Sequence, residues 1–568
     1  MTIQFLRLLA FCAIAKQLLL KIVAVSQFLF LLAFLEISKR HLHDAREAFQ
    51  FLLFLAFCAI AKHVLHHIWT VKLFLLFPAV YAIGMRLFQK SRNLPPSPFL
   101  ALPVIGHLYL IQNPLHRSLC WISRRYGPVA LLRFGPSRVL VVSSPDAAEE
   151  CLAKNDIVFA NRPCLLAGKH LGYNYTSLAW SPYGDHWRNL RSIASGEILS
   201  ANCLLTLSTI WADEVKSLLH RLAKSGGRSV NMKSAFFELM LNVGTLMIAG
   251  KRYCGENVGE LEEAIKFMEI VTESFRISGA TKMGEFLPFP RWMGLKEVEE
   301  KLMTLQKKRD EFMQSLIDES QSGGGNEWPE AAEGRKKKTL IQVLLSRRET
   351  EPEYYKDETI KSLMQVVLTG PDTSATTMEW ALSAMLNHPE ILKKARAEID
   401  EVVGHDRLVS ESDLPKLPYL HSVINETMRM YPVGPLLVPH ESVEDCQVGG
   451  YRVPRGTILL INLFYIQNDP RYWPDPTNFK PERFEGMEGV RDGYKMMPFG
   501  SGRRKCLGEN LAVRTIGLTL GSLIQCFEWD SDELIDMTEG SGPTMQKAQP
   551  LMAKCRPRSA TSDLLSWA

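Results

Sequence analysis

Phe499-Gly500-Ser501-Gly502-Arg503-Arg504-Lys505-Cys506-Leu507-Gly508 places one cysteine in a short loop of glycines and three consecutive cations. Nearby positive charge favours the thiolate, and a glycine-rich backbone lets amide N–H groups face the sulfur. Such a thiol suits a metal ligand or a nucleophile; a basic surface turn with an incidental cysteine is the plainer alternative. The loop by itself leaves these readings open.

Working outward, the 568 residues, 46% apolar and 22% charged, hold ample material for a large core. A formal net charge of +5, without a long basic run or an aromatic stacking pattern, argues against nucleic acid as a partner. Eleven cysteines are scattered without a C-x-x-C pair, which predicts reduced, cytosol-facing thiols. The absence of C-x-x-C-H argues against covalently attached haem.

The N-terminal part is a series of apolar stretches broken by isolated charges. Residues 68–88 combine spanning length with terminal basic residues able to snorkel, and are predicted to form a membrane anchor. Lys90 and Arg92 follow directly, which places the downstream part on the cytoplasmic side. Residues 1–67 form an atypical extension containing an internal repeat, Leu9 to Lys16 against Leu55 to Lys62, too brief for a solenoid. The prolines within residues 89–114, beginning Leu94-Pro95-Pro96-Ser97-Pro98, predict an extended hinge. Residues 115–568 form the remaining domain.

In that domain, β-branched runs such as Arg138 to Val142 and Gly456 to Ile461 alternate with longer stretches of helical period. Gln321 to Lys338 reads as a flexible surface loop. Acids at Asp357 and Glu358 suit the first turn of a helix predicted to run unusually far, to about Leu386. A second helix is predicted from Tyr419 to Met430, ending before Pro432.

Four constellations precede the cysteine loop in order. Trp187-Arg188-Asn189-Leu190-Arg191 places an indole and a guanidinium one turn apart. Thr369-Gly370-Pro371-Asp372-Thr373-Ser374 interrupts the long helix with an acid beside an alcohol, a pair able to relay protons, although hydroxyls in helices also bond back to their own carbonyls. Pro371 has no N–H for the carbonyl of Val367, which predicts a kink. Glu426-Thr427-Met428-Arg429 sets opposite charges on one helical face, and Pro481-Glu482-Arg483-Phe484 offers a second arginine. Val438-Pro439-His440 lies between them.

These motifs, from Pro95 to Cys506, resemble the cytochrome P450 family, whose loop F-x-x-G-x-R-x-C-x-G is matched at every fixed position by Phe499 to Gly508. Local wording such as Leu102-Pro103-Val104-Ile105-Gly106 is similar to plant enzymes of the isoflavone hydroxylase group. The resemblance implies a mainly α fold with a smaller β portion (α+β), with haem b between the long central helix and the cysteine loop. Cys506 would be the axial ligand to haem iron. Trp187, Arg191, His440, Phe499 and Arg504 would bind the cofactor, and Asp372 and Thr373 would deliver protons. Glu426, Arg429 and Arg483 would form a buried cluster securing the segment before the cysteine.

The implied activity is monooxygenation of a small apolar, aromatic plant metabolite, with O2 and with electrons from NADPH-cytochrome P450 reductase. Its place would be the endoplasmic reticulum membrane, with the catalytic domain facing the cytosol. Arg503, Lys505, Lys393, Lys394 and Arg396 are candidates for a basic reductase face. Pocket segments by the family's layout are Tyr173 to Tyr183, Ile277 to Phe289, Val433 to Val438 and Ser541 to Gln546. The alternatives are a haem-thiolate isomerase or dehydratase needing no external electrons, and a catalytically impaired haem-binding membrane protein. Retention of Asp372-Thr373 weighs against the isomerase or dehydratase.

Overall fold

The computed structural model describes residues 92–98, 101–102, 104–254, 270, 273, 295–322, 338–486, 493–530 and 533–566. The extension, the anchor, most of the Gln321 to Lys338 loop and the pocket segment Ile277 to Phe289 lie outside them.

The helices that position the site are, in chain order, α1 (Leu115–Tyr126), α2 (Asp185–Ile193), α3 (Ser208–Lys224), α4 (Met232–Ala249), α5 (Leu295–Gln321), α6 (Asp357–Leu368), α7 (Gly370–Asn387), α8 (Pro389–Val402), α9 (Pro418–Met430) and α10 (Glu509–Cys526). The strands are β1 (Val129–Phe134), β2 (Ser137–Val142), β3 (Val230–Asn231), β4 (His440–Glu441), β5 (Cys446–Val448), β6 (Tyr451–Val453), β7 (Thr457–Ile461), β8 (Phe527–Asp530) and β9 (Met552–Pro557). The expected helix-dominated α+β architecture is therefore present.

The two β-branched runs pair with each other. The largest sheet has the order β1-β2-β7-β4. Its β2 and β7 run parallel with Val139 opposite Ile458, while β1 and β2 form an antiparallel hairpin. Both faces are covered, so β2 from Val139 to Val142 and all of β7 are buried, the pattern of a strand packed on both sides. The proline hinge lies against this sheet, with Leu131 N–H donating to the Pro96 carbonyl at 2.8 Å.

The continuous helix expected from Asp357 to about Leu386 is corrected to two. Helix α6 starts with Asp357 and Glu358 in its first turn, as charge placement requires, and ends at Leu368; Thr369 serves both ends, and α7 begins at Gly370. This break accommodates Pro371, which falls in the first turn of α7, where a helix has no partner for the backbone N–H in any case. From Ser374 to Leu386 every α7 residue is buried, so the helix crosses the core and packs against α4. Among the described residues, α4 is the one helix long and apolar enough to cross a membrane, and it is largely buried in this core. Helix α9 ends at Met430 before Pro432, as predicted.

Candidate cofactor and oxygen-activation site

The cysteine loop is a closed turn held by its own backbone. Cys506 N–H donates to the Phe499 carbonyl at 2.9 Å, Gly500 N–H to Met497 at 3.0 Å and Lys505 N–H to Gly502 at 3.1 Å. Two residues need positive φ, and both are glycine: Gly500 at 69° and Gly502 at 70°. At Gly502 a Cβ would come within 2.5 Å of both the Leu152 carbonyl oxygen and the Asp156 carboxylate, so a larger residue has no room. Cys506 stands three residues before the first residue of α10, where helix N–H groups and the dipole favour negative charge.

The Cys506 side chain is accessible to solvent, yet burial raises its thiol pKa, opposed by an amide bond from Gly508 and by the charges of Arg191 and Lys505. The sulfur is thus open to solvent while protein atoms around it partly desolvate it. The thiolate of such a cysteine is available as a ligand once a cation compensates it.

Close to the cysteine loop lies a group of half-buried cations. Arg504 donates to the backbone carbonyls of Ala160 at 2.7 Å, Leu178 at 3.1 Å and Ser181, and its guanidinium lies 4.5 Å from the Trp187 ring centre. Arg191 donates to the Lys505 carbonyl at 2.8 Å, tying α2 to the cysteine loop. The Trp187 indole N–H is engaged by the Leu178 carbonyl at 3.1 Å, so its visible role is to buttress the two arginines that stand over its ring. His440, buried in β4, bonds through Nδ1 to the Phe159 carbonyl at 2.7 Å. Phe499 packs half-buried at the edge of the main core.

Arg162 belongs to this group and was not singled out from the sequence. It donates to the carbonyls of Val438 and Pro439 at 2.9 and 2.7 Å, while its buried Nε has no partner. Burial, then the charge of Arg504, brings its pKa down to about 9; burial, then Arg191, brings Arg504 down to about 10. Desolvation, followed by Arg162, pushes His440 well below the usual histidine range. The signal in the sequence was Asn161-Arg162-Pro163, a charge beside a proline with no helical partner, indistinguishable there from a surface turn.

These half-buried guanidinium groups hydrogen-bond to neutral carbonyls rather than to carboxylates, and the carboxylate charge acting on them is that of Asp156 on Arg191. A cysteine able to give a thiolate ligand, next to a cluster of arginines, fits haem b, which carries iron and two propionates. The residues present therefore suit the implied cofactor: Cys506 would hold the metal, and Arg162, Arg191 and Arg504 would meet the carboxylates.

Above α7 the acid and the alcohol point in different directions, as consecutive helical residues must. Asp372 is 3% exposed and accepts from Gln546 Nε2 at 3.1 and 3.0 Å, while Gln546 Oε1 accepts from Lys233 Nζ at 2.9 Å. Burial raises the Asp372 pKa, with Lys233 and Gln546 opposing. The Thr373 hydroxyl donates to the Gly370 carbonyl at 3.0 Å, leaving its lone pairs to accept. No bond between Asp372 and Thr373 is among those formed, so a proton passing from one to the other needs a bridging water.

The charged cluster forms as expected. Arg429 makes a two-pronged pair with Glu426, and Arg483 Nε reaches the same carboxylate at 3.2 Å. Gln467, fully buried and likewise not singled out from the sequence, extends the cluster: it accepts from Arg429 through its carbonyl at 2.8 Å, and its side-chain oxygen accepts from Met497 N–H at 3.3 Å. The chain of contacts thus runs from α9 to the base of the cysteine loop. The proposed basic face is less open: Arg503 pairs with Asp156, Lys505 with Glu509, Lys394 with Glu482 and Glu485, and Arg396 with Glu528.

Cytochrome P450 81Q32 of Catharanthus roseus is 52% identical over 494 residues, covering 85% of this chain and 96% of that protein. The (+)-piperitol/(+)-sesamin synthase of Sesamum radiatum is 47% identical over 472 residues, 82% and 91% of the two chains. The isoflavone 3'-hydroxylase of Medicago truncatula is 44% identical over 487 residues, 84% and 95%. A zebra fish cytochrome P450 solved with progesterone superposes with a TM-score of 0.67 at 26% identity, over 79% of this chain and 100% of that one. The family model described as Cytochrome P450 matches residues 95–554, and with the cysteine loop, the arginine cluster and these relatives it shows that the chain belongs to the cytochrome P450 family.

Proposed function

We propose that the protein oxidises a small, apolar, aromatic plant secondary metabolite, either by hydroxylation or by closing a methylenedioxy bridge. Monooxygenation with haem b, O2 and a redox partner follows from the family. The substrate class rests on relatives named as isoflavone hydroxylases and as a piperitol/sesamin synthase. For hydroxylation, one oxygen atom enters the substrate and the other leaves as water, at the expense of two electrons and two protons. We assign the electrons to NADPH through NADPH-cytochrome P450 reductase, and the site to the endoplasmic reticulum membrane through the anchor expected at residues 68–88.

Haem, when bound, supplies the oxygen activation. The chain supplies the rest. Cys506 would hold the haem iron through its thiolate, an electron-donating ligand. Arg162, Arg191 and Arg504, with Trp187 and His440 beside them, would neutralise and orient the propionates. Phe499 closes the edge of the cysteine loop. Asp372 holds a proton, and Thr373 accepts and passes it on through water. The segments Val433 to Val438 and Ser541 to Gln546, joined by Met545 N–H to the Val433 carbonyl at 2.9 Å, form a wall for the substrate. The observation that carries the reading is the pairing of the Cys506 loop with a half-buried arginine cluster whose hydrogen bonds go to neutral carbonyls.

The test is a screen of phenylpropanoids, isoflavonoids, lignans and alkaloids with membranes carrying the full chain and reductase. Expected products are one oxygen atom heavier or, after bridge closure, two hydrogens lighter, and appear only with NADPH. Conversion independent of NADPH and O2 would overturn the proposal in favour of an isomerase or dehydratase.

A further inference from the structure

Asp372, Glu379 and Trp380 are spaced seven and eight residues apart on α7, and so lie on one face of it. Each bonds to the returning arm of the hairpin formed by residues 536–551. Trp380 Nε1 donates to the Met545 carbonyl at 2.8 Å, Leu551 N–H donates to Glu379 Oε1 at 2.8 Å, and Gln546 Nε2 donates to both oxygens of Asp372. Two of these contacts use hairpin backbone. The contact to the acid is made between side chains alone, and it can change without moving the hairpin's main chain.

The amide of Gln546 has two faces, a donor and an acceptor, and its orientation is set by what lies behind it. Lys233, at the start of α4, has only donors to offer, so it takes Oε1 and leaves Nε2 for Asp372. A neutral amide therefore stands between a buried acid and a half-buried cation. A direct ion pair would fix Asp372 as a carboxylate; the amide holds it in place and leaves it free to take a proton.

We propose that Gln546 is a positioning residue for Asp372: from the hairpin that walls the substrate side, it holds the carboxylate in the orientation selected by Lys233. The inference rests on the reading of Asp372 as a proton carrier and of this hairpin as a pocket wall. Substrate pressing on the hairpin then alters the hold on the acid, which couples proton delivery to an occupied pocket. Uncoupled turnover, in which electrons go to hydrogen peroxide instead of product, is what this coupling suppresses.

The other charged groups of this region are Glu379 on α7, Lys547 on the hairpin, and Asp536 at the hairpin's base. Lys547 donates to the Asp536 carbonyl and stands 4.9 Å from the Trp380 ring centre. These groups are held by other bonds, which leaves Gln546 as the direct hydrogen-bond donor to the Asp372 carboxylate among the described residues.

The experiment uses the full-length holoprotein and its Asp372→Asn, Gln546→Leu and Gln546→Glu variants. The first readout requires no turnover: infrared titration of the buried carboxyl band that Asp372→Asn removes. Gln546→Leu withdraws a donor from the carboxylate and Gln546→Glu adds a like charge, so the titration midpoint is expected to rise in both, further in Gln546→Glu. The second readout, with a panel compound that wild-type membranes convert, is product formed per NADPH consumed. It is expected to fall about tenfold in Gln546→Leu as peroxide rises, with an unchanged thiolate-type carbonyl spectrum.

A merely structural glutamine would lower the amount of folded protein without moving the midpoint. Unchanged midpoints together with unchanged coupling overturn the inference. If Asp372→Asn is itself fully coupled, it is the assignment of Asp372 that fails; if Asp372→Asn uncouples and Gln546→Leu does not, the positioning role alone fails.

Discussion

Glu426 and Arg429 lie one helical turn apart with no side-chain surface exposed, and share hydrogen bonds of 2.6 and 2.8 Å. The remaining Arg429 nitrogen and the second bond of Nη2 go to the carbonyls of Gln467 and Pro476, at 2.8 and 2.9 Å. The pair is thus locked within α9, while Glu426 Oε1 and the two Arg429 Nη atoms hold the helix against the segment that precedes the cysteine loop.

Arg429→Ala is expected to leave the Glu426 carboxylate buried with Arg483 and the Lys480 N–H as its remaining partners, a loss of about 3–5 kcal/mol. The result is protein with little haem and earlier thermal unfolding, measured by haem-to-protein ratio and a melting curve. Arg429→Lys does not rescue it, because an ammonium cannot reproduce a two-pronged contact plus two carbonyl bonds. Wild-type haem content in either variant would refute the role.

Cys506→Ala removes the thiolate and is expected to abolish the thiolate-type spectrum of the reduced carbonyl complex, along with all NADPH-dependent product. An unchanged spectrum would sink the ligand assignment.

Arg162→Gln keeps a donor for the Val438 and Pro439 carbonyls but removes the charge. A charge-assisted hydrogen bond contributes about 1.5–3 kcal/mol, so haem retention is expected to weaken by a factor on the order of ten to a hundred. Competition for haem by apomyoglobin measures it. Equal retention in wild type and variant would show that Arg162 serves the fold alone.

Glu379 gives a pH-dependent outcome. Its side chain is fully buried, Oε2 has no partner, and burial raises its pKa. The folded state therefore holds the proton more tightly than the unfolded chain, so this group's stabilising contribution is full below the unfolded carboxyl pKa and is lost as pH rises through the folded one. Glu379→Gln is expected to be more stable than wild type at neutral pH, with the advantage vanishing in acid. Melting curves at several pH values decide it; a pH-independent difference would show that the carboxyl does not titrate differently on folding.

The residues legible in the sequence were those whose chemistry is concentrated in a short window. The cysteine loop, the Glu426-Arg429 spacing, the helix stop before Pro432 and the apolar runs of β2 and β7 each carry their own signal within about ten residues. Arg162, Gln467 and Gln546 do not. Their partners are backbone carbonyls or side chains far away in the chain, such as Asp372 for Gln546, and a single polar residue gives no hint of which distant group it meets. The break at Thr369 was hidden for a related reason: apolar periodicity continues across α6 and α7, and one residue's departure barely disturbs it. The polarity of the Asp372-Thr373 segment was visible, but that the two side chains diverge follows from helix geometry set in place by the core.

Gly502 has no clearance on the side facing Leu152 and Asp156. The cysteine loop is thereby indexed against the segment leading to Arg162, as a part is seated against a stop. The sulfur and the arginine cluster share one mechanical reference, and a shift of either carries the other with it. A methyl group at 502 would thus act as a shim, displacing the ligand relative to the propionate anchors without touching a single group that takes part in the chemistry.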